Sequence, residues 1–152
     1  VAGLVMELIA PAFGNLAGPP SLASCTRDVY PQGLQLAEQT LLRMARAIAA
    51  VAGHLHAQGI NHGDLYAHNI LWREDGECLL GDFGAASFYP TGDDDRVKAL
   101  QRIEVRAFGV LLGELLEHCE RAPEPLWQLQ RDCIQPEVLR RPAFNEVLGR
   151  LA

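Results

Sequence analysis

The residues of this chain whose types and spacing suit chemistry lie between His62 and Gly84, in HGDLYAHNILWREDGECLLGDFG. Two short apolar runs, Ile70-Leu71-Trp72 and Cys78-Leu79-Leu80, flank Arg73-Glu74-Asp75-Gly76-Glu77, and the Asp-Gly pair predicts a hairpin turn between antiparallel strands. If residues 70–72 pair with 78–80, Asn69 and Asp82 become neighbours at the open end of the hairpin. Asp64 stands five residues before Asn69 on the same loop, so a carboxylate, a carboxamide and a second carboxylate converge on one edge. Oxygen donors of this kind suit Mg²⁺, a hard cation that keeps several waters and shares its shell with substrate phosphates. The plainer alternative is that these side chains cap a turn and a loop.

The elements that must position this edge follow from periodicity and punctuation. Leu34 to Gln58 has apolar residues at 41, 44, 45, 48, 51, 52 and 55, close to helical period, with Gly59 as a C-terminal stop. Val105, Phe108, Leu111, Leu112, Leu115 and Leu116 outline a strongly apolar core helix. Shorter helices are predicted over about 125–135 and 143–151, separated by Pro136 and Pro142. Leu4-Val5-Met6 reads as a short buried strand. The stretch 11–27, rich in Gly and Pro, reads as a loop, as does Gly81 to about Lys98 with its run Asp93-Asp94-Asp95, taken as a solvated turn.

Composition bounds the rest. The 152 residues are 49% hydrophobic, enough for the core of one domain, and 13 Lys and Arg against 19 Asp and Glu give a net charge of −6. Without a basic cluster, nucleic acid is excluded as the expected partner. The apolar runs are too short for a membrane span, and the four dispersed cysteines read as thiols of a reducing cytoplasm. The apolar opening Val1 to Ile9, without Met or a basic n-region, reads as the interior of a longer protein.

HGDLYAHNIL followed by GDFG resembles the catalytic loop and metal-binding motif of the protein-kinase superfamily. The resemblance implies an α+β fold: a mostly helical C-terminal lobe with a small β-hairpin and no N-lobe, residues 1–10 forming the hinge strand and linker and residues 11–152 the lobe. It implies ATP and Mg²⁺, with Asp64 orienting the acceptor hydroxyl and taking its proton, and Asn69 and Asp82 holding the metal against the phosphates. Leu4 to Ile9 would be the hinge, with Met6 as gatekeeper and the backbone of Glu7 and Ile9 meeting adenine; Leu71 would be part of the adenine floor. Glu104-Val105-Arg106-Ala107-Phe108-Gly109 resembles the start of the central helix of that lobe, and LWQLQRDCIQPEVLRRPAF is similar to the closing helices of tyrosine-kinase-like domains. His62 would pack beneath Phe83.

The pattern also departs from the superfamily. Nothing here corresponds to the Gly-rich phosphate cover or the strand Lys of the N-lobe, so an upstream lobe or domain is an expected partner. Gly63 replaces the Arg that receives an activation-loop phosphate, which speaks against that mode of switching. Tyr66 and His68 stand where Lys or Arg often approaches the transferred phosphate, and His68 is expected as a surface imidazole. The short segment after Gly84 leaves no Ala-Pro-Glu platform, so Arg141 lacks its familiar Glu. His54 and His56, two apart on a helix, do not share a face and are not expected to ligate a metal together. The expected reaction is transfer of the ATP γ-phosphoryl group to a hydroxyl, on a protein first; a small-molecule kinase of the aminoglycoside or choline type and a pseudokinase scaffold are the competing readings.

Overall fold

The computed structural model describes residues 6–25, 28–92 and 94–152. The architecture is α+β and mostly helical, as the spacing of apolar residues predicts. In chain order it runs β1 (Gly14–Asn15), α1 (Glu38–Ala57), β2 (Ile60–Asn61), β3 (Ile70–Trp72), β4 (Cys78–Leu80), β5 (Ser87–Phe88), α2 (Asp95–Glu117), α3 (Glu124–Cys133) and α4 (Phe144–Arg150), with single 3₁₀ turns at Ala67–Asn69, Phe83–Ala85 and Val138–Arg140.

Helices α1 and α2 supply most of the core. Leu41, Met44 and Ile48 of α1 meet Phe108, Leu112, Leu115 and Leu116 of α2, all essentially without solvent exposure. Leu129 of α3 and Phe144 and Val147 of α4 close the same cluster, and the Phe108 and Phe144 rings meet edge to face at 5.6 Å. Four elements thus bury one face each around a single apolar centre, which holds the site-bearing loops on a rigid base. α1 stops where the sequence predicts: Gly59 takes a left-handed φ of +70°, a conformation that a side chain disfavours.

The hairpin forms in the expected register, Ile70 opposite Leu80, Leu71 opposite Leu79 and Trp72 opposite Cys78. Three short strands escape the sequence reading. β1 pairs antiparallel with β3 from within the Gly- and Pro-containing segment, and β2 pairs with β5. Two-residue strands carry no periodicity, so only pairing across the fold reveals them.

α2 corrects two expectations. It begins at Asp95, within the segment read as a loop, because Asp94 caps it by accepting the Val97 N–H at 2.9 Å. Asp94 and Asp95 are therefore a helix start rather than a solvated turn; Asp93 lies outside the described residues. Glu104 consequently sits well inside the helix and not at its beginning. At the other end of the chain, Leu4 and Val5 lie outside the described residues, and Met6 to Ala10 are exposed and carry no strand.

Candidate active site

Asp64, Asn69 and Asp82 are positioned by three independent restraints. Asn69 is buried and donates its Nδ2 both to the Asp64 backbone carbonyl and to Asp64 Oδ2, each at 2.9 Å. Since the amide nitrogen is committed to Asp64, Oδ1 is the atom of this side chain left to offer a lone pair to a cation. The hairpin ladder extends one step past its last strand pair, because Gly81 donates its N–H to the Asn69 carbonyl at 2.8 Å. Asp82 follows directly, in a left-handed conformation at φ +52°, with its carboxylate accepting the Gly84 N–H at 3.1 Å. A non-glycine residue pays about 1–2 kcal/mol for that backbone, a strain of the kind that gathers at functional positions.

His62 ties the two loops together. The fully buried ring donates from Nε2 to the Gly81 carbonyl at 2.8 Å and accepts the Asp64 N–H on Nδ1 at 3.3 Å. A carbonyl only accepts and an N–H only donates, so this pair of bonds selects the Nε2–H tautomer. The ring also meets Phe83 edge to face at 4.8 Å, as expected. One imidazole thereby sets the spacing between the residue at Asp64 and the one before Asp82.

Glu104 holds the loop from below. Its carboxylate, 4% exposed, accepts the Gly63 N–H at 2.9 Å on one oxygen and meets His56 Nε2 at 2.8 Å on the other. The role of His56 is invisible in the sequence, because its partner is 48 residues away. Gly63 has φ +82°, and a Cβ there would lie 2.4 Å from the Ala85 carbonyl oxygen. The segment after Asp82 therefore occupies the space where a larger residue at 63 would project.

His68 differs from the expected surface imidazole. Its Nδ1 lies 2.8 Å from Asp28 Oδ1, its backbone N–H donates to Asp28 Oδ2 at 3.1 Å, and its ring stacks on Tyr66. The Asp28 side chain is only 3% exposed. The loop between Asp64 and Asn69 is thus pinned on its outer side by a carboxylate from the segment after β1, which no local pattern announces.

Leu71 faces Leu79 across the hairpin on its more open side, while Ile70 turns into the core. Met6, Glu7 and Ile9 are exposed and, among the described residues, make no hydrogen bond to the site. No group of three His, Cys, Asp or Glu residues is placed to hold a metal among the described residues. The donor chemistry of Asn69 Oδ1 with the Asp82 carboxylate suits Mg²⁺, which takes few protein ligands and completes its shell with water and phosphate oxygens. Burial pushes the thiols of Cys78 and Cys133 up to about 11 and about 12, so neither is a nucleophile at neutral pH.

A mostly helical lobe that brings a D-x-x-x-x-N loop against D-F-G at the mouth of a hairpin defines a kinase-like phosphotransferase domain. The lipopolysaccharide kinase (Kdo/WaaP) family model matches residues 14–122, and the chain belongs to that family. It is also 36% identical over 89 residues to the calmodulin-binding receptor kinase CaMRLK of Arabidopsis thaliana, covering 59% of this chain and 13% of that protein. A probable bifunctional tRNA threonylcarbamoyladenosine biosynthesis protein of Methanoculleus marisnigri is 30% identical over 148 residues, 95% of this chain and 25% of the relative. The anti-Muellerian hormone type-2 receptor of Oryctolagus cuniculus is 33% identical over 103 residues, 57% of this chain and 18% of the receptor. The chain thus spans a quarter or less of the length of these curated relatives. Membership of a kinase family implies ATP as phosphoryl donor, used with Mg²⁺. No helix among the described residues is long and apolar enough to cross a membrane.

Proposed function

We propose that the chain is the C-terminal catalytic lobe of an ATP-dependent phosphotransferase acting on a hydroxyl acceptor. The observation that carries this reading is the geometry of one edge: Asn69 bonded to Asp64 twice, and the Asn69–Gly81 backbone bond that brings Asp82 beside them. Asp64 orients the acceptor hydroxyl and takes its proton as the oxygen bonds to the γ-phosphorus of ATP, whose bond to the β–γ bridging oxygen breaks to release ADP. Asn69 Oδ1 and the Asp82 carboxylate would hold Mg²⁺, which would supply neutralisation of charge on the phosphates. Leu71 lines the floor under adenine, and Met6, Glu7 and Ile9 form the hinge once a preceding lobe covers the nucleotide.

The acceptor is a saccharide hydroxyl on this reading. The family description names lipopolysaccharide kinases, and the short segment after Gly84, packed against Gly63, offers little shelf for a peptide. A protein acceptor is the second reading, favoured by the similarity to receptor kinases.

The test uses the complete protein and radiolabelled ATP. Asp82→Asn is expected to abolish transfer through loss of metal binding. Asp64→Asn is expected to lower turnover by about 10²–10⁴-fold while nucleotide affinity stays near wild type. Near-wild-type rates in both variants would refute the assignment and leave a scaffold. Label appearing in lipopolysaccharide rather than in protein decides between the two acceptors.

A further inference from the structure

A groove of about 510 Å³ runs beside the catalytic loop, between Gly63, Leu65 and Tyr66 on one side and α2 on the other. Its α2 wall is apolar along Ile103, Ala107 and Val110, with Ile103 61% exposed. Two arginines, Arg106 and Arg141, line the groove, and among the described residues neither has a carboxylate within ion-pair distance. Arg141 is 7% exposed and donates only to backbone carbonyls, Nε to Gln135 at 2.7 Å, one terminal nitrogen to Arg102 at 3.0 Å and the other to Pro136 at 3.5 Å. Three of its five N–H groups are therefore used, and its charge is uncompensated.

The two cations are held close together. The Arg102 carbonyl that receives Arg141 belongs to the turn of α2 directly before Arg106, and side chains on a helix lean toward the N-terminal turn. Arg106 thus leans toward the Arg141 guanidinium, and its proximity, added to burial, holds Arg141 below the ordinary arginine value. A nearly buried cation facing a second cation is costly unless an anion comes between them. Glu114 lines the same groove but lies eight residues further along α2, about 12 Å at 1.5 Å per residue, where it accepts the Tyr30 hydroxyl at 2.9 Å.

We infer that Arg106 and Arg141 form an oxyanion subsite for the acceptor, gripping a carboxylate or phosphate group on the molecule whose hydroxyl is presented to Asp64. This rests on the phosphotransferase reading for the identity of the occupant. Gly63 is bonded to Glu104, two residues before Arg106, so the cation pair and Asp64 sit on adjoining parts of one scaffold. The apolar wall of α2 suits the uncharged part of the same molecule. Planar guanidiniums bind either oxyanion through paired N–H groups, so the pair defines the shared chemistry.

The binding test needs no nucleotide. Sodium phosphate and, separately, sodium acetate are titrated into the chain with ¹⁵N-labelled arginine, against sodium chloride at matched ionic strength, while the Nε–H signals are followed. Saturable shifts of Arg106 and Arg141 are expected with at least one of the two anions, and the stronger one separates a phosphate from a carboxylate on the acceptor. Arg106→Gln changes an exposed residue and is expected to weaken that binding at least about tenfold, with the Arg141 signal still reporting. Asp82→Asn is expected to leave the titration unchanged. Shifts that follow ionic strength alone, or binding untouched by Arg106→Gln, would overturn the subsite. Failure of phosphoryl transfer with this titration intact would instead count against the phosphotransferase reading.

Discussion

Glu104 is the residue on which the floor of the site depends most, and Glu104→Ala measures that dependence. Its carboxylate is nearly without solvent and receives the Gly63 N–H at 2.9 Å and His56 Nε2 at 2.8 Å. A buried donor left without its acceptor costs about 1–3 kcal/mol. Two are left so here, the Gly63 N–H and His56 Nε2, so a destabilisation of about 2–6 kcal/mol is expected. At about 2–4 °C per kcal/mol for a chain of this size, Tm falls by roughly 4–24 °C. Thermal unfolding followed by circular dichroism reads this directly. Glu104→Asp, one methylene shorter, is expected to retain one of the two contacts and lose less. His56 also packs its ring edge-on against Phe144 at 5.1 Å, but its contact with Glu104 is shared, so the Glu104→Ala and His56→Ala effects should fail to add by about 1–3 kcal/mol in a double-mutant cycle. A loss below about 1 kcal/mol for Glu104→Ala, or additive effects, would refute the argument that this pair supports the loop.

Gly63→Ala places a Cβ 2.4 Å from the Ala85 carbonyl oxygen at φ +82°, so a cost of at least about 2 kcal/mol is expected, read as a lower denaturant midpoint with altered amide shifts over residues 83–86. Gly109→Ala would set a methyl 2.6 Å from Cys133 Cβ and 2.8 Å from Ile134 Cγ2, and α3 must move away; a loss of about 1–3 kcal/mol in urea unfolding is expected. At Asp132, burial raises the carboxyl but hydrogen bonds from Arg150 and Gln128 outweigh it and hold it below its ordinary 3.8. A depressed carboxyl stabilises the fold above the unfolded value and loses that contribution as pH falls through the folded one. Asp132→Asn should therefore lower stability at pH 7 by no more than about 1 kcal/mol for this partly exposed pair, read as a lower Tm, and the difference should shrink as pH falls below the ordinary 3.8.

The residues that carry the proposed chemistry were legible along the chain because they are local. Asp64, Asn69 and Asp82 stand on one loop and one hairpin, and the Asp75-Gly76 turn sets the pairing that draws Asn69 toward Asp82. The long helices were legible for the same reason, since a 3.6-residue period repeats within each of them. Only the tertiary structure decided what holds that edge in place. Asp28 reaches His68 across 40 residues, Glu104 reaches Gly63 across 41 and His56 across 48, and a polar side chain carries no mark of a partner so far away. Arg141 belongs to the same class: its composition is that of any surface arginine, and only packing buries it among carbonyls beside a second cation. Local residues can declare their chemistry through spacing, whereas the desolvated charges that position them acquire their roles only when chain segments far apart in sequence exclude water together.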